Sequence, residues 1–490
     1  MPARPADAPQ NTGEMGGDSV TGGSVTTWDA GLEETLRQLL GRQAVDYVEL
    51  RLEVNEATVI ELVGTTPQRV DHQLDVGGNV RAVSGGYVGF VHFDGWHQLE
   101  ARVREAVQLA QWGEAASLGP RDGWAPSQVV HLRTRVPYGE DPRGVSLEEK
   151  MSLLQGYADV GLSASSAIQN VQTRYFDRYR HLLFLNSRGS VVEQEKMDLG
   201  GSVLMVARRQ GSVAQRGVSF GSSNDFGAVR GLGDEVRDAA RQAVLLLEAP
   251  EIVGGEYTVV VDPHLAGVFA HEAFGHLSEA DGQVDDAGLL QAMRLGRRFG
   301  PKNLHIYDTG RDEGSRGYLP VDDEGVEARD IDLIRDGELV GRLHSCRTAG
   351  SLGEQPTGNA RALHYRFAPI VRMRNTVIAP GDTPVEGLFQ GIKRGIYATG
   401  STGGQTNGEV FAFRAAPAYL IEDGRVTQPL RNAVLTGNVF STLDNITAIG
   451  SDFTRYEGGG GCGKAGQMPL PVSHHAPSLR IERCLVGGGR

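Results

Sequence analysis

The segment LAGVFAHEAFGHLSEA, residues 265–280, determines how the C-terminal half of this chain is built. Its apolar residues recur at helical spacing, and it follows EYTVVVDPH, residues 256–264, which has the pattern of a strand. From Pro250 onward the chain otherwise reads as short strands separated by Gly, Asn and Asp turns. The fold class we predict is α+β, with an α/β N-terminal part and a mainly β C-terminal domain around this helix.

The same helix carries His271 and His276, with Glu272 directly after the first histidine. A familiar zinc motif has two histidines four positions apart on one helical face, and the glutamate serves as the base that activates water. The spacing of five found here rotates the side chains apart by about 140° on an ideal helix. Both rings reach one ion only if the helix gains a residue in a π-bulge or ends near Gly275, which we expect to permit the distortion. The alternative is a pair of surface or core histidines with no metal.

A thiol suited to the same ion lies far downstream, in EGGGGCGKAGQ, residues 457–467. Two imidazoles and a thiolate are an ordinary zinc set with a fourth position open for water. We assign Cys462 to the metal because glycine-rich backbone can bring it to an ion. The commoner role of a lone cysteine is a buried structural one, and we assign Cys346 and Cys484 to it.

The same loop also imitates a phosphate-binding motif, since Gly458 to Lys464 reads G-x-x-x-x-G-K. Ala465 stands where a Mg²⁺-binding hydroxyl is needed. Two prolines in GQMPLPV, residues 466–472, preclude the helix that must follow such a loop. We therefore exclude nucleotide binding at this loop.

Composition narrows the class of protein further. The 490 residues carry a formal net charge of −13, and 40% of them are hydrophobic. A negative surface without a Lys/Arg block argues against nucleic acid and acidic membranes as partners. No apolar run has the length of a membrane span. The N-terminus has no apolar signal segment, so we predict a cytoplasmic protein with reduced thiols.

The predicted organisation has three parts. Residues 1–27 are rich in Gly, Pro, Thr and Asp and are expected to be a disordered tail. Residues 28–248 are expected to form an N-terminal α+β domain. A connection near 117–145 is expected within it, and one interpretation is that this connection separates two subdomains. Residues 249–490 form the C-terminal domain that holds the metal motif.

Within the N-terminal part, Tyr47 to Val54 alternates apolar and polar residues, which predicts a half-buried strand. A helix is expected from Ser146, where Ser-Leu-Glu-Glu has the pattern of a capping box. Two alternating strand pairs are expected from about 168 to 220, and a helix over GDEVRDAARQAVLLLEA, residues 233–249, ends this half.

Several stretches together resemble the TldD/PmbA (modulator of DNA gyrase) metallopeptidase family, on its TldD side. The match is specific over about residues 250–490 and weaker over 45–245, where VRAVSGGYVGFV carries it. The matching stretches are HEAFGH followed by Glu279 and Asp281, VDDEG (321–325), PTGNAR (356–361), MRNT (373–376), GIYATGSTGGQ (395–405), AYLIEDGRVTQP (418–429) and CGKAGQ (462–467).

The resemblance implies a zinc-dependent peptidase with His271, His276 and Cys462 as ligands and Glu272 as base. It also implies a dimer, either of two copies or with a TldE-type subunit that lacks the metal motif. The site is expected to face an enclosed cavity that admits unfolded or extended peptides. Gly403, Gly404 and Gln405 are the candidate substrate contacts. The alternative is that this segment is a plain β-turn with no role in binding.

Some positions remain open or depart from the family. Ser401 and Thr402 interrupt the family's glycine run, and the adjacent His474 and His475 replace small residues and are expected to be solvent-exposed. The group that stabilises the oxyanion is not determined among His264, His344 and Tyr397. Glu279 or Asp281 either orients a ligand imidazole or faces solvent at a helix end.

Two other functions are alternatives to a peptidase. The first is a non-catalytic peptide-binding subunit of a heterodimer, against which the four matched groups of the motif argue. The second is a metallohydrolase of a natural-product pathway that cleaves a small amide or a thiol conjugate. A measurement of bound metal distinguishes the non-catalytic subunit from a peptidase. The identity of the cleaved substrate distinguishes the natural-product hydrolase from a peptidase.

Overall fold

A computed structural model describes Trp28 and residues 30–117 and 123–488. The tail predicted to be disordered, residues 1–27, lies outside these ranges. In the part of the chain that is described, no helix is both long enough and apolar enough to cross a membrane. The predicted α+β architecture is confirmed, with an α/β N-terminal part and a mainly β C-terminal half.

The N-terminal half packs helices against one large sheet. Its helices are α1 (Ala30–Gly41), α2 (Leu99–Ala116), α3 (Leu147–Ser163) and α4 (Gly233–Leu246), with 3₁₀ turns at Pro142–Gly144 and Phe226–Val229. Its strands are β1 (Tyr47–Val63), β2 (Thr66–Ser84), β3 (Tyr87–Asp94), β4 (His131–Thr134), β5 (Ile168–Asn186), β6 (Val191–Arg209) and β7 (Ser212–Ser222). Over the described ranges the sheet has seven strands in the order β3-β2-β1-β5-β6-β4, and β7 pairs with β6.

Two local predictions for this half can be compared with the structure. Ser146 caps α3, because its side chain accepts a hydrogen bond from the Glu149 N–H at 3.1 Å. The two strand pairs expected between 168 and 220 are instead three long strands, β5, β6 and β7, joined by tight turns. The alternation of apolar and polar residues does not show where one of these strands ends and the next begins.

Strand β1 is buried on both faces at its start, so the prediction of a half-buried strand was wrong. The apolar residues Val48, Leu50 and Leu52 pack into a core with α1 and α2, as expected. The intervening Glu49 and Arg51 are only 2% and 1% exposed. The C-terminal half covers that second face, and its charges pair with those of the strand.

The contact between the halves is largely ionic. The VDDEG stretch supplies Asp323 and Glu324 to the buried face of the N-terminal sheet. Arg81 Nη1 lies 2.8 Å from Glu324 Oε1, and Lys196 Nζ lies 3.2 Å from Asp323 Oδ1. Because a buried charge is tolerated only when it is paired, these pairs fix how the two halves meet.

The C-terminal half consists of short strands and short helices. The strands are β8 (Gly255–Val261), β9 (Ile306–Thr309), β10 (Ile331–Arg335), β11 (Glu338–Leu339), β12 (Ala360–Arg361), β13 (Ile370–Val371), β14 (Asn375–Ile378), β15 (Arg394–Ala398), β16 (Gly404–Asn407), β17 (Val410–Arg414), β18 (Ala418–Glu422), β19 (Arg425–Leu430), β20 (Ala433–Asn438), β21 (Ile446–Ile449), β22 (Thr454–Tyr456), β23 (Cys462–Lys464), β24 (Gln467–Leu470), β25 (Ser473–Ala476) and β26 (Leu479–Gly488). The helices are α5 (Pro263–Phe269), α6 (Ala280–Asp285), α7 (Ala287–Ala292), α8 (Cys346–Leu352), α9 (Val385–Phe389) and α10 (Val439–Asp444).

Two sheets enclose the helical segment that carries the histidine motif. One has the order β16-β17-β20-β26-β8-β15-β18-β19, with β21 added at β26, and the other has the order β11-β10-β9-β14-β25-β22. Helix α5 and the turn after it contact β8 and β16 in the first sheet and β14 and β25 in the second. The motif therefore lies in the core of the C-terminal half, as the sequence predicted.

Candidate metal centre

The histidine segment is a short α-helix that widens before it ends. Asp262 caps α5, since its carboxylate accepts a hydrogen bond from the Leu265 N–H at 2.8 Å. The chain then forms a π-helical turn over Ala270–Gly275 and a 3₁₀ turn from His276. The N–H of His276 donates to the carbonyl of His271, five residues earlier. The predicted π-bulge is therefore confirmed, and it brings both histidines to one side.

Gly275 is required for a different reason from the one predicted. Its φ of −58° and ψ of −48° are ordinary helical values, which any residue adopts. A β-carbon at Gly275 lies only 2.0 Å from the sulfur of Met373, which is fully buried. The glycine therefore provides room for the core of the second sheet rather than backbone freedom.

Gly275→Ala is expected to destabilise the protein, because the added methyl overlaps Met373 in a packed core. Overpacking of this kind costs about 1–3 kcal/mol, and thermal unfolding should detect it as a lower Tm. Gly282→Ala is the matched control, since the nearest atom to its added β-carbon is Leu289 Cδ2 at 3.5 Å. Equal melting temperatures for the two variants would contradict the packing argument.

The structure brings together the three side chains that the sequence singled out as metal ligands. The ligand atoms of His271, His276 and Cys462 all lie within 4.8 Å of one another. Cys462 Sγ is 3.2 Å from His276 Nε2, and the two imidazole rings are nearly perpendicular, at 78°. Cys346 and Cys484 are buried elsewhere as free thiols, as expected.

Each imidazole is oriented by a group behind it. His276 Nδ1 lies 2.9 Å from Glu279 Oε2, and Glu279 is only 2% exposed. His271 Nδ1 lies 3.5 Å from the hydroxyl of Thr376 on β14. Such contacts fix the ring and its tautomer, so that the other nitrogen is free to bind. Of the two interpretations of Glu279, the orienting one is therefore correct, and the solvent-facing one is wrong.

Strand β23 contributes one side chain to the cluster of candidate ligands and another to the group behind His276. Cys462 and Lys464 are two positions apart and therefore share one face of the strand. Cys462 contacts the Nε2 side of His276, while Lys464 Nζ lies 2.8 Å from Glu279 Oε2 and 2.6 Å from Asp281 Oδ1. Sequence analysis missed Lys464, and the only signal for it was its spacing from Cys462.

The glycines before Cys462 allow close contact with the N-terminal half. A β-carbon at Gly459 would lie 2.2 Å from the backbone nitrogen of Gly201 on β6. The Gly459 N–H donates to the hydroxyl of Ser219 on β7 at 2.9 Å. Strands follow this segment, β23 and then β24, so it lacks the helix that a phosphate-binding loop requires.

The charges of the cluster favour a thiolate. Burial opposes ionisation of Cys462, but the neighbouring imidazoles of His271 and His276 outweigh it and lower the pKa of the thiol to about 4. Burial raises the pKa of Glu279, yet Lys464 and His276 together bring it down to about 2. An anionic sulfur between two imidazoles is the state in which cysteine binds metals.

The residues present fit a zinc ion. His271 Nε2 is buried and has no hydrogen-bond partner among the described residues. Tetrahedral zinc with its usual bond lengths separates imidazole and thiolate ligand atoms by about 3.3–3.8 Å. The three ligand atoms are within about 1 Å of that arrangement, and their donor set is one that zinc prefers. His271 and Cys462 also line one wall of a cavity.

That cavity has a volume of about 230 Å³. Glu272 lines it together with His271 and Cys462, and Glu272 Oε2 lies 3.9 Å from His276 Nε2. The side chain of Glu272 is 30% exposed, so solvent reaches its carboxylate. The remaining wall comes from both halves and from the loop before β16, with the residues Ser219, Val268, Ser401, Tyr456, Gly458, Gly460, Gly461, Val472 and His474.

The candidate substrate contacts lie on an exposed sheet edge rather than in a plain β-turn. Gly404 and Gln405 begin β16, the last strand of its sheet, which pairs with β17 on one side only. Gly403 precedes it with a φ of +127°, which favours glycine. Ser401, two residues earlier, lines the cavity. Among the described strands, β16 therefore has one edge without a partner, and the segment before it reaches the cavity wall at Ser401.

The candidates for oxyanion stabilisation are in different surroundings. His344 is buried and hydrogen-bonded through both ring nitrogens, to Thr348 and Glu354. Neither nitrogen is therefore available to stabilise an oxyanion. Tyr397 packs against Phe389 and does not line the cavity. His264 stacks on Tyr456, which lines the cavity wall, with ring centroids 3.6 Å apart.

The expectation that His474 and His475 are solvent-exposed was wrong. His475 is 1% exposed and lies 3.3 Å from Glu457 Oε1. His474 stacks on Tyr456 at 5.0 Å, and its Nε2 is shielded from solvent. Both residues belong to β25, which pairs with β14 and β22 at its two edges and packs against α5.

Comparisons with known proteins agree with this arrangement. Residues 140–247 match the family model described as the PmbA/TldA metallopeptidase central domain, and residues 254–488 match that of the C-terminal domain. A metalloprotease of Synechocystis sp. is 43% identical over 463 residues, which cover 94% of this chain and 99% of that protein. A zinc metalloprotease TldD homologue of Saccharolobus solfataricus is 30% identical over 457 residues, covering 92% and 97%.

Solved structures share the fold at low sequence identity. The crystal structure of TldE from Thermococcus kodakarensis has a TM-score of 0.73 and 17% identity, covering 94% of this chain and all of that one. A putative modulator of DNA gyrase from Thermotoga maritima also has a TM-score of 0.73, with 19% identity, and covers 93% and 99%. From the two family models and the relatives that it matches over almost its full length, the chain belongs to the PmbA/TldD family of metallopeptidases.

Proposed function

We propose that this protein is a zinc-dependent peptidase that hydrolyses unfolded or extended peptides, with His271, His276 and Cys462 as zinc ligands. The observation that carries the proposal is the convergence of two imidazoles and a thiolate on one point of a cavity that Glu272 also lines. A bound zinc ion supplies a Lewis acid that polarises the scissile carbonyl and acidifies water.

Glu272 acts as the general base in this proposal. Its carboxylate lies beside the ligand cluster, 3.9 Å from His276 Nε2, and it is accessible from the cavity. It accepts a proton from the attacking water and transfers that proton to the leaving amine. Glu279 and Lys464 hold His276 from behind, so that the ring keeps its orientation while the proton moves.

An extended peptide is the substrate shape that the surroundings favour. The unpaired edge of β16, with Gly404 and Gln405, leads to the cavity through Ser401. An exposed edge strand can pair with the backbone of an extended chain, largely without regard to sequence. A folded protein offers no such free backbone, which favours unfolded substrates.

The proposal extends to the oligomer and the location of the protein. The fold is shared with a protein named TldE, and we propose that the active form is a dimer, either of two copies or with a TldE-type subunit. A cytoplasmic location remains a prediction from the sequence. Mass measurement of the purified protein, alone and with a co-expressed TldE-type chain, decides between the two dimers.

The proposed activity is tested by zinc quantification together with cleavage of an unstructured peptide library. We expect about one zinc per chain, and cleavage that a chelator abolishes and added zinc restores. A protein that binds peptides but holds no zinc and cleaves nothing would instead be the non-catalytic subunit. Cleavage of small amides but of no peptide would favour the natural-product hydrolase.

A further inference from the structure

A small cavity away from the candidate metal centre has more basic than acidic side chains in its wall. It lies where β5 and β6 meet loops of the C-terminal half, and its volume is about 60 Å³. Five basic side chains face two acidic ones across it, an excess of three positive charges. These residues are Arg178, Arg180, Lys196, Arg316 and Arg361, against Asp198 and Asp323.

The two carboxylates are already engaged with other cations of the wall. Asp323 Oδ1 lies 3.3 Å from Arg180 Nη2 and 3.2 Å from Lys196 Nζ. Asp198 Oδ1 lies 2.6 Å from Arg316 Nε. Glu53, behind the wall, also pairs with Arg180, and the buried Asp198 Oδ2 has no hydrogen-bond partner among the described residues. These three carboxylates are still fewer than the five basic side chains of the wall.

Two arginines of the wall form no direct ion pair with any described residue. Arg361 is 5% exposed and donates only to the carbonyls of Met373 and Pro471, at 2.6 and 2.7 Å. The side chain of Arg178 has no hydrogen bond or ion pair to any described residue. Burial lowers the pKa of Arg178, and the nearby Arg180 and Arg316 act in the same direction, while the charge of Asp198 opposes them. Since unpaired buried charge is costly, the wall is incomplete without an anion.

Arg316 has a free donor as well. It is 3% exposed, and its Nη2 is buried without a partner in the described residues. Its Nη1 donates to the carbonyls of Gly458 and Gly460. The same guanidinium therefore lines the cationic cavity and holds the loop that leads into Cys462.

We propose that this cavity is a binding site for a compact oxyanion, held by the guanidinium groups of Arg178, Arg316 and Arg361 and the ammonium of Lys196. A water needs about 10–15 Å³ of such space, so 60 Å³ suits an ion with about five heavy atoms. Guanidinium forks match oxyanions in geometry and charge. The anion is either free, like inorganic phosphate, or the terminal carboxylate of a peptide.

Occupation of this site stabilises the loop of the candidate metal centre. Because Arg316 is shared, an anion that binds it also restrains the carbonyls of Gly458 and Gly460. The cavity of the metal centre lies on the other side of that loop, since both glycines line it. The site is thus distinct from the metal centre but in contact with its wall.

Thermal unfolding and calorimetric titration of the full chain test this proposal, with inorganic phosphate as the probe and chloride at the same ionic strength as the reference. At saturating phosphate we expect Tm to rise by about 2–4 °C. Arg178→Gln should weaken phosphate binding by about 10-fold or more, because a charged hydrogen-bond donor is lost. Lys196→Gln, on the neighbouring strand, should weaken it as well.

Arg425→Gln is the matched control, as it removes an exposed arginine of β19 and should leave phosphate affinity unchanged. In chloride, Arg178→Gln should melt no lower than the unaltered protein, because it removes an unpaired cation. The proposal is overturned if phosphate gives no rise in Tm, or if Arg178→Gln binds phosphate with full affinity, as binding at the metal centre would predict.

Peptides distinguish the two sources of the anion. A peptide with a free C-terminal carboxylate that displaces phosphate, when its C-terminal amide does not, identifies the chain end as the natural ligand. If neither peptide displaces phosphate, the ligand is a free oxyanion. Either result supports the site, whereas equal displacement by both peptides counts against recognition of an oxyanion.

Discussion

Replacement of Glu272 by glutamine is expected to abolish peptide hydrolysis while leaving the metal in place. Glutamine has the same shape as glutamate, but its amide accepts no proton from water. Loss of a general base reduces turnover by about 10²- to 10⁴-fold. The proposed ligands His271, His276 and Cys462 stay intact, so the zinc content of the purified variant should equal that of the unaltered protein.

The measurement pairs turnover of an unstructured peptide with zinc quantification on the same sample. Glu386→Gln is the matched control, because it makes the same change on the exposed helix α9, away from the cavity. The control should keep full activity. Full activity in Glu272→Gln would show that another group is the base, and loss of zinc from it would show that Glu272 supports the metal instead.

The fold was predictable where one pattern determined one element. The apolar run after Pro263 predicted the central helix. The spacing of five between His271 and His276 predicted either a π-bulge or a helix end near Gly275, because an α-helix cannot direct both rings to one ion. The burial of β1 was not predictable in the same way. Alternation identifies which residues share a face, but only the tertiary structure reveals that Asp323 and Glu324 cover the polar one.

The candidate site was predictable at its reactive groups and much less so at their supports. The motif indicates His271, Glu272 and His276 directly, since they are neighbours in sequence. Lys464 could not be inferred, because its role depends on Glu279, which lies 185 residues away. Gly275 was singled out for its backbone, yet its requirement comes from Met373 in another element. Contacts between segments that are distant in the chain cannot be inferred from the pattern of a single sequence.

Replacement of Cys462 by serine is expected to remove the metal. A serine hydroxyl remains protonated where the thiol is a thiolate, so the site loses its one anionic donor. Loss of a partner that only orients a ligand already weakens metal binding by about 10- to 100-fold, and loss of a ligand itself should cost more. Zinc in the purified variant should therefore fall from about one per chain to nearly none, and hydrolysis should fall with it.

Cys484→Ser provides the control for this change. Cys484 is as buried as Cys462, 4% exposed in both cases, but it lies in β26, and among the described residues its sulfur has a polar contact only with the carbonyl of Leu485, at 3.8 Å. This variant should retain its zinc, so a difference between the two separates ligation from the general cost of burying a hydroxyl. Circular dichroism on both variants checks that they remain folded. If Cys462→Ser still carries a full complement of zinc, the third ligand lies elsewhere, and the proposed convergence of sulfur and imidazoles on one ion is wrong.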